Sequence, residues 1–96
     1  MVVHIVMLKF KEEGKEENLV KIKSLLEALP SKIEPLLSME VGLDFMQSER
    51  SFDLVLTTTF NDKKGLSTYA THPAHLDVVN VIKEVTEGAK VVDYIR

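Results

Sequence analysis

Two of the chain's three histidines and one of its two tyrosines sit in the run Tyr69-Ala70-Thr71-His72-Pro73-Ala74-His75. Histidine is the side chain whose ordinary pKa already lies near neutrality. A phenol three residues before one imidazole and six before the other suits an acid/base cluster beside a pocket. Pro73 fixes φ near −65° and lacks an N–H, which favours the first position of a helix. The histidines therefore straddle an expected helix start, where backbone N–H groups lack partners. The third histidine, His4, lies in an apolar run at the start of the chain.

The elements that must hold these groups can be read from periodicity. From Val2 to Phe10 the chain is apolar or β-prone, with Val2, His4, Val6, Leu8 and Phe10 on one face and Val3, Ile5, Met7 and Lys9 on the other. Both faces are mostly apolar, whereas a sheet covered on one side shows polar residues opposite. The second face calls for a cover of its own. After the polar stretch Lys11–Gly14, Leu19, Ile22, Leu26 and Leu29 recur at helical spacing, with Leu25 beside them. Pro30 and Pro35 end that segment, leaving a short turn around Ile33–Leu37. Met39, Val41, Leu43 and Phe45 alternate as a half-buried strand. A turn over Gln47–Ser51 leads to a third, β-branched strand from Phe52 to Phe60. Asn61-Asp62 is an N-cap signal for a short helix over Leu66–Ala70. A further helix is expected from Pro73 to about Glu87, with Leu76, Val79, Ile82 and Val85 as its stripe and Gly88 as its stop. Lys90–Arg96 alternates as a last strand. The class is α+β, and the order β-α-β-β-α-β is the ferredoxin-like plan with one four-stranded antiparallel sheet.

Composition narrows the function classes. A chain of 96 residues is one domain, residues 1–96, and short enough that dimerisation is a natural supplement to its core. A net charge of −3, no Lys/Arg block and 6% aromatic residues argue against a nucleic-acid partner. With no cysteine, disulfides and thiolate chemistry are excluded, which suits a cytoplasmic location. No apolar run approaches the roughly 20 residues of a membrane helix, and the first residues do not read as a signal peptide.

Three separated signatures, His4-Ile5-Val6-Met7-Leu8-Lys9-Phe10, Tyr69-x-x-His72-Pro73-x-His75 and Asp93-Tyr94, resemble those of the stress-responsive α/β-barrel (Dabb) family over the whole chain. The resemblance implies a dimeric α+β barrel, in which two sheets pack face to face with helices outside. Val3, Ile5 and Met7 would then cover the partner's sheet, while His4, Val6 and Leu8 face the subunit's own helices. One branch of the family contains a plant polyketide cyclase that works without a metal, through the tyrosine and the last histidine of this motif. By position these are Tyr69 and His75, and the first-strand histidine is His4.

The resemblance gives His75 the role of a general base acting on a carbon acid beside a carbonyl, and Tyr69 that of hydrogen-bond donor to the enolate. The plainer reading has His75 bonded to a backbone carbonyl and Tyr69 packed as a core residue. His72 is expected to stabilise the helix start. His4 is either a satisfied core histidine or pocket lining. The pocket residues this reading implies are His4, Val6, Leu8, Leu19, Ile22, Leu54, Leu56 and His72. Leu19 and Ile22 stand where the cyclase has bulky aromatics, and Leu54 where it has a further histidine. No cofactor is expected, and His72 with His75 falls short of the three protein ligands that zinc needs. Asp77 and Asp93 are carboxylates that nothing in the sequence ties to the histidines, and Asp93 reads more simply as a structural partner. Two alternatives accompany a cofactor-free lyase, cyclase or isomerase acting on a small apolar or carbonyl ligand. One is a non-catalytic stress-protective homodimer; the other, from fold analogy alone, is a haem-degrading or quinone-forming monooxygenase.

Overall fold

The computed structural model describes residues 1–96. Its elements are β1 (Val2–Phe10), α1 (Lys15–Glu27), β2 (Ser38–Leu43), β3 (Leu54–Phe60), α2 (Lys63–Thr71), α3 (Pro73–Val85) and β4 (Thr86–Ile95). The strands form one antiparallel sheet in the order β2-β3-β1-β4. This is the expected ferredoxin-like plan, its second crossover split into two helices at His72.

Helix starts follow local chemistry. Glu16 and Glu17 occupy the first turn of α1, where carboxylates favour the helix dipole. Asp62 caps α2, its Oδ1 accepting from the Gly65 N–H at 2.8 Å. The alternation of β1 places Val2, Leu8 and Phe10 in the core with Ile22 and Leu26 of α1 and Phe60 of β3. Leu29 lies just past α1 yet remains buried, because Lys32 and Ile33 donate to its carbonyl and fold the turn back.

Several boundaries differ from the sequence reading, among them α2, which begins at Lys63 rather than Leu66, and β4, which begins at Thr86 rather than Lys90. The helix expected to reach Glu87 ends at Val85, with Thr86 as C-cap and its hydroxyl donating to the Ile82 carbonyl at 2.8 Å. Gly88 is therefore no helix stop: it lies in β4 opposite Lys9, beside the register shift between Lys9 and Phe10. The second strand ends at Leu43, not Phe45, because the Asp44 carboxylate accepts from the Gln47 N–H at 2.7 Å and closes a turn. The third begins at Leu54, after Asp53 turns its side chain towards β1.

The face of the sheet away from the helices carries Ile5 and Met7, flanked by Thr57 and Val55 of β3 and by Val92 and Lys90 of β4. Met7, Val55, Val92 and Tyr94 are all exposed there. The two-sided apolar pattern of β1 thus reflects a helix-covered face and an apolar one that is open at Met7. Val3, expected to cover a partner's sheet, is already buried within the single chain.

Candidate functional site

Each side chain of the cluster is brought in by a different element. Tyr69 comes from the last turn of α2, His75 from the first turn of α3, His4 from β1 and Asp93 from β4. His4 and Asp93 are direct partners in the β1–β4 pairing, so strand alternation puts both on the helix-facing side. His4 Nδ1 bonds Asp93 Oδ1; a carboxylate accepts, so Nδ1 carries the proton. Beneath them Thr58 of β3 is fully buried and donates to the His4 carbonyl at 3.2 Å.

Tyr69 is the centre of the arrangement. Its ring centroid lies 4.2 Å from that of His75, 5.2 Å from Phe60 and 6.3 Å from His4. The residue is 1% exposed, and its Oη is buried without a hydrogen-bond partner. Leaving such a donor unpaired costs about 1–3 kcal/mol. Burial pushes the phenol up to about 12, so Tyr69 is neutral and holds an unused O–H at physiological pH.

His75 is tuned the opposite way. Burial holds its imidazole below the ordinary value, and the nearby His4 and His72 rings add to that, against the Ala70 carbonyl bond. That carbonyl, 3.1 Å from Nδ1, can only accept, so Nδ1 carries the hydrogen and Nε2 keeps a free lone pair. The cluster therefore holds a protonated donor beside an unprotonated base. It is the arrangement expected for polarising a carbonyl while removing a neighbouring proton. The plainer expectation also holds in part, since His75 does bond a backbone carbonyl.

His72 lies at the corner between α2 and α3 as the N-cap of α3, its Nδ1 accepting from the Ala74 N–H at 3.1 Å. No group of three or more His, Asp or Glu side chains converges to hold a metal ion.

Most of the apolar residues expected to line a pocket are packed into the core, although Leu54 also borders the cavity beside Met7 and Leu19 a polar cavity beside Lys15. Ile22, Leu54, Leu56 and Leu8 are buried against one another in the core, with Val6 and Leu19 at its margin. Leucine and isoleucine at these positions fill the space between α1 and the sheet. The cavity adjoining the cluster lies instead between α2 and the end of β4. It measures about 260 Å³ and is lined by Val2, Lys63, Leu66, Ser67, Asp93, Tyr94 and Ile95. Asp93 joins the two, facing His4 and lining the cavity. Sequence reasoning missed Thr58 and Phe60 as members of the cluster, and it read Asp93 as a structural partner without tying it to His4. The available signal was a lone polar residue on the inner face of each terminal strand, at matching distances from the chain ends.

The opposed tuning predicts a pH dependence. An unfolded phenol ionises near 10.0, whereas Tyr69 in the fold ionises at about 12. Between these values the folded state holds the extra proton, so stability falls as pH rises through that window and is undiminished below it. Alkaline melts of parent and Tyr69→Phe proteins check this, the variant losing less stability above pH 10.0. For His75 the folded value is lowered, so stability falls as pH drops below 6.5.

A family model for the stress responsive A/B barrel domain matches residues 2–96. A stress-response A/B barrel domain-containing protein of Arabidopsis thaliana is 29% identical over 94 residues, covering 95% of this chain and 82% of that one. A crystal structure of a dimeric protein of unknown function with a ferredoxin-like fold, from Bacteroides fragilis, is 33% identical with a TM-score of 0.89. That likeness covers 97% of this chain and 93% of the other. The hydroxynitrile lyase of Passiflora edulis has a TM-score of 0.88 over 99% of this chain and 92% of its own, at 18% identity, which is a likeness of fold alone.

Proposed function

The chain belongs to the stress-responsive A/B barrel domain family, and from that premise we propose that it is a homodimer that binds a small apolar carbonyl compound at Tyr69 and His75 and moves a proton on it. The observation that carries this reading is the buried, protonated, unpartnered Tyr69 Oη beside an imidazole with a free Nε2. A ligand carbonyl oxygen would accept the Tyr69 hydrogen bond. His75 Nε2 would take a proton from the adjacent carbon, the C–H electron pair passing into the enolate that Tyr69 stabilises. Return of the proton to carbon, or bond formation or cleavage at it, completes an isomerase, cyclase or lyase cycle. The ligand would approach through the cavity between α2 and β4, where Val2, Leu66 and Ile95 offer apolar surface. That a hydroxynitrile lyase shares the fold supports lyase chemistry as compatible with this scaffold. The dimer reading rests on the open apolar sheet face and on the dimeric Bacteroides fragilis neighbour.

A second reading, a binding or stress-protective dimer without turnover, is favoured by one observation. Ile22 and Leu54 are packed into the core between α1 and the sheet, and the cavity beside Asp93 is modest, about 260 Å³.

The test is solvent deuterium incorporation at the carbon beside the carbonyl, across small aliphatic and aromatic ketones and keto acids. Exchange should fall about 10²–10⁴-fold in both Tyr69→Phe and His75→Ala, and in the parent it should decline with pH below 6.5 as His75 protonates. Binding without exchange would select the second reading. Parent-level exchange in both variants would end the proton-transfer reading.

A further inference from the structure

The corner between α2 and α3 is strapped from both sides by histidines. α2 ends at Thr71 and α3 begins at Pro73, leaving His72 alone in extended conformation between them. Its Nδ1 accepts from the Ala74 N–H at 3.1 Å, reaching forward into α3. From the other side His75 Nδ1 donates back to the Ala70 carbonyl in the last turn of α2 at 3.1 Å. The His72 N–H also donates to the Tyr69 carbonyl at 3.2 Å. The backbone of Tyr69 is thus held by the same residue that caps the next helix.

The two straps respond oppositely to a proton. His75 is a donor in its bond, so protonation at Nε2 leaves that bond intact. His72 is an acceptor in its bond, and protonation at Nδ1 removes the lone pair the Ala74 N–H uses. A charged ring there would also meet the positive end of the α3 dipole. The titratable groups at the corner come from four elements. His75 comes from α3, the neutral Tyr69 phenol from α2, His4 from β1 and Asp93 from β4, its carboxylate engaged with His4. Asp77, further along α3, is exposed to solvent.

We propose that His72 is a proton-operated latch on the first turn of α3: neutral, it caps that turn through the Ala74 N–H, and protonated, it frees that N–H and loosens the start of α3, from which His75 projects. As regulation of that site the latch rests on the carbonyl-binding reading above, in which His75 is the base.

The latch itself is tested without any ligand. The Ala74 amide and the His72 ring nitrogens are followed by NMR across the histidine titration range. In the parent protein the Ala74 amide should move with the same midpoint as the His72 ring. Its exchange, corrected for the intrinsic effect of pH, should lose protection by about fivefold, the equivalent of one side-chain helix cap. His72→Asn supplies a cap oxygen at every pH, so there the Ala74 amide should stay fixed and protected. In His75→Gln the movement of Ala74 should persist. If His72→Asn does not fold, His72→Ser supplies the same proton-insensitive cap. An Ala74 titration unchanged by the cap substitution, or abolished only by His75→Gln, would overturn the latch. Because no ligand is present, failure of the latch and failure of the carbonyl-binding reading are read separately.

Discussion

An Asp53→Ala protein is expected to be about 3 kcal/mol less stable than its parent, a fall in Tm of roughly 12–24 °C for a chain of this size. Asp53 is 1% exposed, and its two carboxylate oxygens serve two different elements. Oδ2 accepts from the Phe10 N–H at 2.7 Å, and Oδ1 lies 3.0 Å from Lys15 Nζ. Its backbone joins the same corner, the Asp53 N–H donating to the Leu8 carbonyl at 2.9 Å. One residue therefore fastens the end of β1, the start of α1 and the approach to β3. Truncation leaves a buried backbone donor at Phe10 and a lysine without its main partner. The Lys15 ammonium is held above its usual range chiefly by the Asp53 hydrogen bond, working against desolvation. Asp53→Asn retains an acceptor for Phe10 but not the charge, so its loss should be intermediate. Lys15→Met strips the buried carboxylate of its counter-ion, and the double variant Asp53→Ala, Lys15→Met should recover part of the sum of the single losses. Urea and thermal melts of the four proteins decide the matter. An Asp53→Ala melt superimposable on the parent would show that water or a neighbour replaces the carboxylate at no cost.

How much of this was legible beforehand depends on the range of the forces involved. Helix starts are local events: Asp62 as a cap and Pro73 as a first-turn residue announce themselves within four positions, and both were read correctly. The element order and the apolar second face of β1 are periodic signals carried by many residues at once. The burial of Asp53 and the identity of the partner of Asp93 were not legible, because in a strand pattern an acidic residue reads as the solvent side. Asp53 is tied to the Phe10 N–H and to Lys15, and Asp93 to His4; each partner is distant in sequence. Gly88 was misplaced for the same reason. It suits a helix stop locally, but the pairing of β1 with β4 extends to Thr86 and takes it into the sheet.

The cluster shows the same division. Tyr69 and His75 stand out by type and spacing, but their opposite tuning depends on burial. Whether Ile22 and Leu54 line a void or fill it is a question of volume. The sequence shows their apolarity, and only the packed chain shows that they close on each other. The orphaned Tyr69 hydroxyl is likewise a property of what fails to reach it.

The second large effect concerns the open face of the sheet: Met7→Asp is expected to convert the proposed dimer to monomer and to lower its Tm sharply. Met7 lies on β1, one of the two central strands, between Val55 and Lys90. It is 36% exposed in the single chain, with Val92 at 54% and Tyr94 at 43% on the same face. A cavity of about 330 Å³ formed by Met7, Leu43, Phe45, Phe52 and Val55 continues this surface towards the β2–β3 turn. In a two-fold interface every substitution occurs twice, so two carboxylates would enter one dry contact. Burying an uncompensated charge costs several kcal/mol, more than a small interface can absorb. Lys90 stands directly opposite Met7 and could neutralise the new carboxylate. Ile5→Asp is therefore the sharper companion, since its cross-strand neighbours are Thr57 and Val92. Light scattering should find the parent as a dimer and both variants as monomers, with a parent Tm that rises with concentration. Both variants remaining monodisperse dimers would move the interface off this face. A parent that is monomeric at every concentration would remove the homodimer from the proposal and leave the Tyr69–His75 pair to be judged within a single chain.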